Sequence, residues 1–417
     1  MTYRTPSYAP HDSLRGLLQR GRGLGHLRAL EDPAAAAPYV YDCIRREWRW
    51  DSQCDGRAHY HARLVRDLGL PIGPLLDQLT GDEESVWRAG GVLELLALAG
   101  DGEAAEGLRA YVRHGEHWVG VLESIASEWP RAWWEGLREV ALERIAGEEE
   151  EPWAREPWEH FGLTRDPATR QAPQPDPDRE RLGTDALLAL IAEPDTAAAD
   201  KVGVLRLLAR RGPQPGLIPL VPLLGHPGAD RPLPGVRAAL RRLGARAVPE
   251  ARAWARDERP WLAALGREVL DDHPGPEALP GLLRELADLR HREQWCGPDV
   301  IARRLAHIGP SAAGAVRPLR TLVRETPHSY ERADYLRAIA AIDPGAAEDL
   351  YKECLWDCED RTLLIAVAAA PAGDPEVRAR VVALRDDPLE DPDVRAAAAD
   401  RAEGFADPAR QDPKETA

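Results

Sequence analysis

The stretch "GLIPLVPLLGHPGADRPLPGVRAALRRLG", residues 216–244, decides the fold. Its apolar run Leu217, Ile218, Leu220, Val221, Leu223 and Leu224 reads as helix, yet Pro219 and Pro222 stand inside it. A proline in a helix interior removes a backbone donor and clashes with the preceding turn, at a cost of about 3 kcal/mol. The architecture must therefore hold these prolines near a helix start or at a bend.

The same arrangement recurs along the chain. Prolines precede Leu- or Ala-rich turns in "IGPLLDQL" (Pro74), "LIPLVPLL" (Pro219), "AVPEARAW" (Pro249), "ALPGLLREL" (Pro280) and "VRPLRTLV" (Pro318), and the last four lie 30, 31 and 38 residues apart. Each of those four is followed by a second helical stretch: "PGVRAALRRLG", "PWLAALGREVL", "GPDVIARRLAHIG" and "HSYERADYLRAIAAID". In the third, Ile301, Leu305 and Ile308 fall at i, i+4 and i+7, one face of a helix. A period of this length with two helices per unit is the signature of a stacked repeat.

The chain resembles HEAT repeats, most clearly in "LAHIGPSAAGAVRPLRTLV" (305–323) and "ALRRLGARAVPEARAW" (239–254), where one helix ends at Ile-Gly or Leu-Gly and the next is entered through small residues. The resemblance covers residues 184–404. It implies an all-α protein, an α-solenoid built as a right-handed superhelix of HEAT-like antiparallel helix pairs. It also accounts for the prolines, since first helices of such repeats bend at one. Pro219, Pro249, Pro280 and Pro318 are expected at or just after the first turn, where a missing donor costs little. Residues 1–146 carry a weaker rhythm, with Leu68 and Leu98 thirty residues apart, and are read as degenerate helix pairs. Residues 147–183, with an acidic run and many prolines, read as a linker whose aromatics can dock. Residues 405–417 read as a disordered tail.

Composition supports helix: only two Phe occur, and the apolar content rests on Leu, Ala and Val. No apolar stretch approaches the ~20 residues that cross a bilayer, and "MTYRTPSYAPHDSLRGLLQR" lacks the apolar centre of a secretory signal. A cytoplasmic protein is expected. Five scattered cysteines fit reduced thiols rather than a disulfide framework. The excess of 51 Arg over three Lys reads as the bias of a GC-rich bacterial genome and carries no functional weight. The net charge of −16 is uneven: residues 31–183 carry 17 basic and 31 acidic side chains, residues 184–345 carry 23 and 20. Nucleic acid is disfavoured as a partner, because phosphate binding needs a positive face.

Chemistry-bearing motifs are sparse. "YDCIRREWRWDSQCDGRAHYHARL" (41–64) crowds Cys43, Cys54, His59 and His61 among carboxylates, but lacks the paired short spacings of a structural zinc site. A loop with Trp48, Trp50 and Asp51 tucked back, followed by a helix with His61 packed, is the reading preferred, and no metal or cofactor is expected. Cys354 and Cys358 at i, i+4 read as buried thiols. "RGRGLGHL" (20–27) has no preceding strand and reads as a flexible turn with a basic arm. No nucleophile motif of the Gly-x-Ser-x-Gly type is present, so no catalytic residue is assigned.

The expected function is that of a non-catalytic scaffold binding a protein or peptide on its concave surface. Arginine pairs near second-helix ends, Arg210 and Arg211, Arg241 and Arg242, Arg303 and Arg304, are the candidate contacts, suited to an acidic partner. Against this stands their use as internal ion pairs between neighbouring helices. The alternative class is a nucleic-acid binder, or an enzyme resembling HEAT-like DNA glycosylases, with Trp133, Trp134, Trp254 and Trp261 as its aromatics.

Overall fold

The computed structural model describes residues 7–146, 156–163 and 177–406. These residues are helical with no strand among them, apart from one isolated bridge between Gly225 and Pro232. No helix among them is long and apolar enough to cross a membrane. In chain order the helices are α1 (Leu14–Gln19), α2 (Gly23–Glu31), α3 (Pro33–Arg45), α4 (Ala58–Asp67), α5 (Gly73–Gln78), α6 (Glu83–Leu98), α7 (Gly102–His114), α8 (Trp118–Glu128), α9 (Arg138–Ile145), α10 (Trp158–Phe161), α11 (Pro177–Glu180) and α12 (Thr184–Ala192). They continue as α13 (Ala198–Arg210), α14 (Val236–Leu243), α15 (Val248–Trp254), α16 (Pro260–Asp272), α17 (Leu279–His291), α18 (Pro298–Ile308), α19 (Val316–Glu325), α20 (Arg332–Ile342), α21 (Glu348–Cys354), α22 (Asp360–Ala369), α23 (Pro375–Asp386) and α24 (Pro392–Ala406).

The chain divides into two compact units, one of Met1–Ala168, Ala287–Ala302 and Ala313–Ala417, the other of Thr169–Leu286 and Arg303–Ala312. In the first unit, local chemistry sets the helix starts. Asp32 caps α3 through Ala35 N, with Pro33 at the first position, and Asp82 and Asp101 cap α6 and α7 in the same way. Successive helices then pack in pairs: α6 on α7, α7 on α8, α19 on α20, α21 on α22 and α23 on α24. Leu64, Leu75, Leu93, Leu108 and Ile125 are fully buried along the N-terminal part, each contributing about 1.5–3 kcal/mol relative to exposure.

The same unit joins chain segments remote in sequence, since α2 also packs on α21. Gly23 permits the approach: a Cβ there would lie 1.9 Å from the Glu353 carbonyl oxygen. Gly21, at φ +63°, takes the left-handed backbone that glycine favours, and its carbonyl accepts from Cys358 N. The flexible basic arm expected at 20–27 is therefore corrected: Gly23 opens α2, and Arg20 and Arg22 are buried. These glycines let two helices remote in sequence touch.

Part of the stretch expected to be linker is packed. Trp158 is fully buried, edge-on to Trp118 and Phe161, and its Nε1 donates to Glu123. Residues 147–155 and 164–176 of that stretch, and 407–417 of the expected tail, lie outside the described residues.

In the second unit α12 packs on α13 and α15 on α16, around Leu187, Val204, Leu208, Val236, Leu262 and Leu265. Pro249 sits in the first turn of α15. Pro280 and Pro318, outside this core, stand second in α17 and third in α19. Pro219 differs from expectation. Residues Pro215–Leu223 form a 3-10 helix containing both Pro219 and Pro222, not an α-helix bent at its start. Three prolines in nine residues leave too few N–H donors for an α ladder, and a tighter turn with poorer bonding suffices because Leu217, Ile218 and Val221 anchor it in the core.

Candidate ligand pocket and arginine face

A concavity of ≈ 150 Å³ lies in the first unit, between the end of α3, the segment 46–57, the start of α4 and α6. Its walls arise from local events. α3 stops at Arg45, with Arg46 extended. The next residues fold back because Arg49 grips Glu47 with two guanidinium nitrogens and donates to Ser52 O. Asp51 then organises a turn by accepting from Gln53 N, and its carbonyl accepts from Asp55 N. That turn sends Asp55 and Arg57 inward.

The wall carries four guanidinium groups and two carboxylates, with Ile44, Val92 and the Trp48 and Trp87 rings between them. Arg46 pairs with Asp42, Arg49 with Glu47, and Arg88 donates to the Ile44 and Arg45 carbonyls with Glu84 3.5 Å away. Burial would raise the Glu47 pKa, but the bonds from Arg49 outweigh it and hold it below the ordinary value. Arg57 is different: its terminal nitrogens donate to the carbonyls of Gln19 and Pro327, and its buried Nε has no partner. His61, also buried, has an unpartnered Nε2. Its pKa falls to about 3, through burial first and then the positive charges of Arg57 and Arg49, so the ring is neutral at pH 7. Trp48, held by the Tyr8 ring and the Arg15 guanidinium, likewise has an unpartnered buried Nε1.

Behind Arg57 lies a buried polar network that ties 20–63 to 325–390. Asp55 Oδ1 accepts from His328 Nδ1 at 2.8 Å, Ser329 Oγ at 3.0 Å and Tyr330 N at 3.0 Å, while its other oxygen accepts from Asp51 N. Burial would raise the Asp55 pKa, but these bonds and Arg57 pull it well below the carboxylate range. Ser329 Oγ also lies within hydrogen-bond distance of Glu359, whose pKa burial pushes up to about 7. One hydroxyl carries one proton, so Ser329 Oγ donates to one of the two carboxylates at a time, and to Asp55 when Glu359 is protonated and donates to it. Arg332, 1% exposed, spans Asp357 and the Arg20 carbonyl, and Arg22 grips Glu353. The hydrogen bonds of this largely buried constellation join helices remote in sequence.

The structure assigns internal partners to several of the arginines singled out in the sequence. Arg210 pairs with Glu180, Arg211 donates to the Glu180 and Leu182 carbonyls, and Arg242 to the Ala209 carbonyl. Arg241 is exposed on α14, Arg303 is exposed on α18, and Arg304 is half-buried with an unpartnered Nε. Several exposed arginines of the second unit, among them Arg206, Arg241, Arg246, Arg252, Arg256 and Arg267, form no ion pair among the described residues.

Cys43, Cys354 and Cys358 are buried and Cys54 is exposed. Burial pushes the Cys43 thiol up to about 12. Among the described residues no three His, Cys, Asp or Glu side chains converge to hold a metal ion. Trp134, Trp254 and Trp261 are buried core residues, and Trp133 stacks edge-on against Trp129. Arg57, Trp87 and Arg88 went unnoticed in the sequence. The one signal was the density of Arg and Trp in "RREWRW", which shows no period. The chain matches no family model and no curated protein sequence.

Proposed function

We propose that this chain is a non-catalytic, cytoplasmic binding protein built as a HEAT-like α-solenoid of right-handed twist, and that it holds an acidic protein or peptide on the arginine-bearing face of its second unit. The repeat reading is supported by polar contacts stepping by about one helix pair. In the second unit Arg210 reaches back 30 residues to Glu180, Arg242 reaches back 33 to Ala209, and Arg237 reaches forward 31 to Glu268. In the first, Arg320 pairs with Asp349 at 29 residues and Arg401 donates to Ala370 O at 31. Stacked repeats touch their neighbours in this manner.

The function rests on one observation: several exposed arginines of the second unit, Arg241, Arg246 and Arg252 among them, lack a carboxylate of their own. Guanidinium forks without internal partners are suited to gripping carboxylates from another chain. The enzyme alternative is weakened because Trp254 and Trp261 fill the core. A fluorescein-labelled Glu-rich peptide titrated by anisotropy tests the reading. Arg241→Glu combined with Arg246→Glu and Arg252→Glu weakens binding at least about tenfold, some 1.4 kcal/mol, with an unchanged helical signal and melting temperature. Undiminished binding rejects it.

A further inference from the structure

The pocket of the first unit points to a second ligand, of a class distinct from the partner of the arginine face. We propose that it binds a small planar monocarboxylate, with the carboxylate against Arg57 and the flat apolar body between Trp48 and Trp87.

Charge sets the ligand's sign and number. Of the four guanidinium groups in the wall, Arg46, Arg49 and Arg88 have carboxylates of this chain as partners. Arg57 has only carbonyl oxygens, and the Asp55 carboxylate two residues away is saturated by His328, Ser329 and two backbone N–H groups. Asp55 balances the Arg57 charge through space without bonding to it, and a carboxylate in the pocket would give that guanidinium a hydrogen-bonded anion. Three buried nitrogens on side chains lining the same pocket, Trp48 Nε1, Arg57 Nε and His61 Nε2, have no partner in the protein, whereas buried polar groups are ordinarily paired. A carboxylate, with about four lone-pair positions, is suited to the Trp48 and Arg57 N–H groups and to His61 when its proton sits on Nε2. His61 is neutral, because burial and then the charges of Arg57 and Arg49 lower its pKa, so it adds no positive charge to the pocket.

Shape sets the body. An interior of ≈ 150 Å³ admits one ring or a short fused pair and lies below the span of drug-sized sites. Ile44, Val92 and Ala58 supply apolar surface, and Trp87, 44% exposed at the rim, offers an indole face that an aromatic ligand would cover.

The test compares benzoate with benzamide, its uncharged isostere, by calorimetry and ligand-observed NMR on the full chain. Benzoate binds with saturation and benzamide at least tenfold more weakly. Arg57→Gln is a poor probe by itself, because that side chain also holds Gln19 and Pro327. Ala58→Phe fills the pocket without altering a charge and abolishes benzoate binding at unchanged melting temperature. Trp87→Ala, at an exposed position, weakens it several-fold and decides the matter if the filled variant does not fold. The arginine-face triple variant binds benzoate normally, which separates this site from the peptide site. Equal affinity for acid and amide, no saturable binding up to about 10 mM, or wild-type affinity in both Ala58→Phe and Trp87→Ala overturns the proposal.

Discussion

Arg63 and Glu390, 327 residues apart in sequence, meet at 2.5 Å with each side chain 1% exposed. Arg380 shares the same carboxylate, and Arg63 also donates to Asp357 O. One glutamate thus neutralises two buried cations, and α4 is held to the segment that follows α23.

Removing that carboxylate is expected to be costly. Glu390→Ala leaves two buried guanidinium groups unpaired and lowers unfolding free energy by about 3–5 kcal/mol. Urea denaturation measures it. A loss below about 1 kcal/mol would show that the pair behaves as a surface bridge.

Glycine spacing gives a paired prediction. Gly23→Ala forces a Cβ against the Glu353 carbonyl, whereas Gly90, inside α6, has open space where its Cβ would lie. Gly23→Ala destabilises by about 1–3 kcal/mol, and Gly90→Ala stabilises by up to about 1 kcal/mol. Equal melting temperatures for the two would contradict the packing of α2 on α21.

Glu94 is buried beneath the Ser124 hydroxyl, and burial pushes its pKa up to about 7. Its folded value exceeds its unfolded one. The stabilisation is therefore complete below the unfolded value and is lost as pH rises through about 7. Relative to Glu94→Gln, the wild type gains roughly 2–3 kcal/mol between pH 8.5 and 4.5. Parallel stability curves would remove the buried, protonated glutamate from the account.

The His273 and His307 rings lie 4.1 Å apart in the second unit. Burial lowers both pKa values, and His307 lowers that of His273 further. Depressed folded values mean stability present above the unfolded value and lost as pH falls below it. Acidification from pH 7.5 to 5 lowers the wild-type melting temperature more than that of His307→Gln. An equal fall in both counts against the pair.

The helix pairs were legible in the sequence because periodicity reports burial directly. Ile301, Leu305 and Ile308, placed on one face by spacing, are all buried, and Pro249, Pro280 and Pro318 occupy first turns. Partners were not legible. Nothing local to Arg63 announces Glu390, and nothing in "RGRGLGHL" announces Glu353, because pairing across three hundred residues leaves no period. The pocket was hidden for the same reason. Arg57 is distinguished from Arg49 only by lacking the carboxylate that a fold-back turn supplies to the latter. Pro219 was not legible, because an apolar run with three prolines reads alike as a bent α-helix or as the 3-10 helix it forms.

The most direct test of the proposed binding of acidic chains is a side-by-side anisotropy titration of the wild type with a Glu-rich peptide and a DNA duplex of matched charge, across a salt series. The account expects saturable peptide binding that weakens with salt, is lost in the Arg241, Arg246 and Arg252 charge-reversal variant, and exceeds binding to the duplex. Tighter binding to DNA, with a steep salt slope that the same variant reduces, would contradict it.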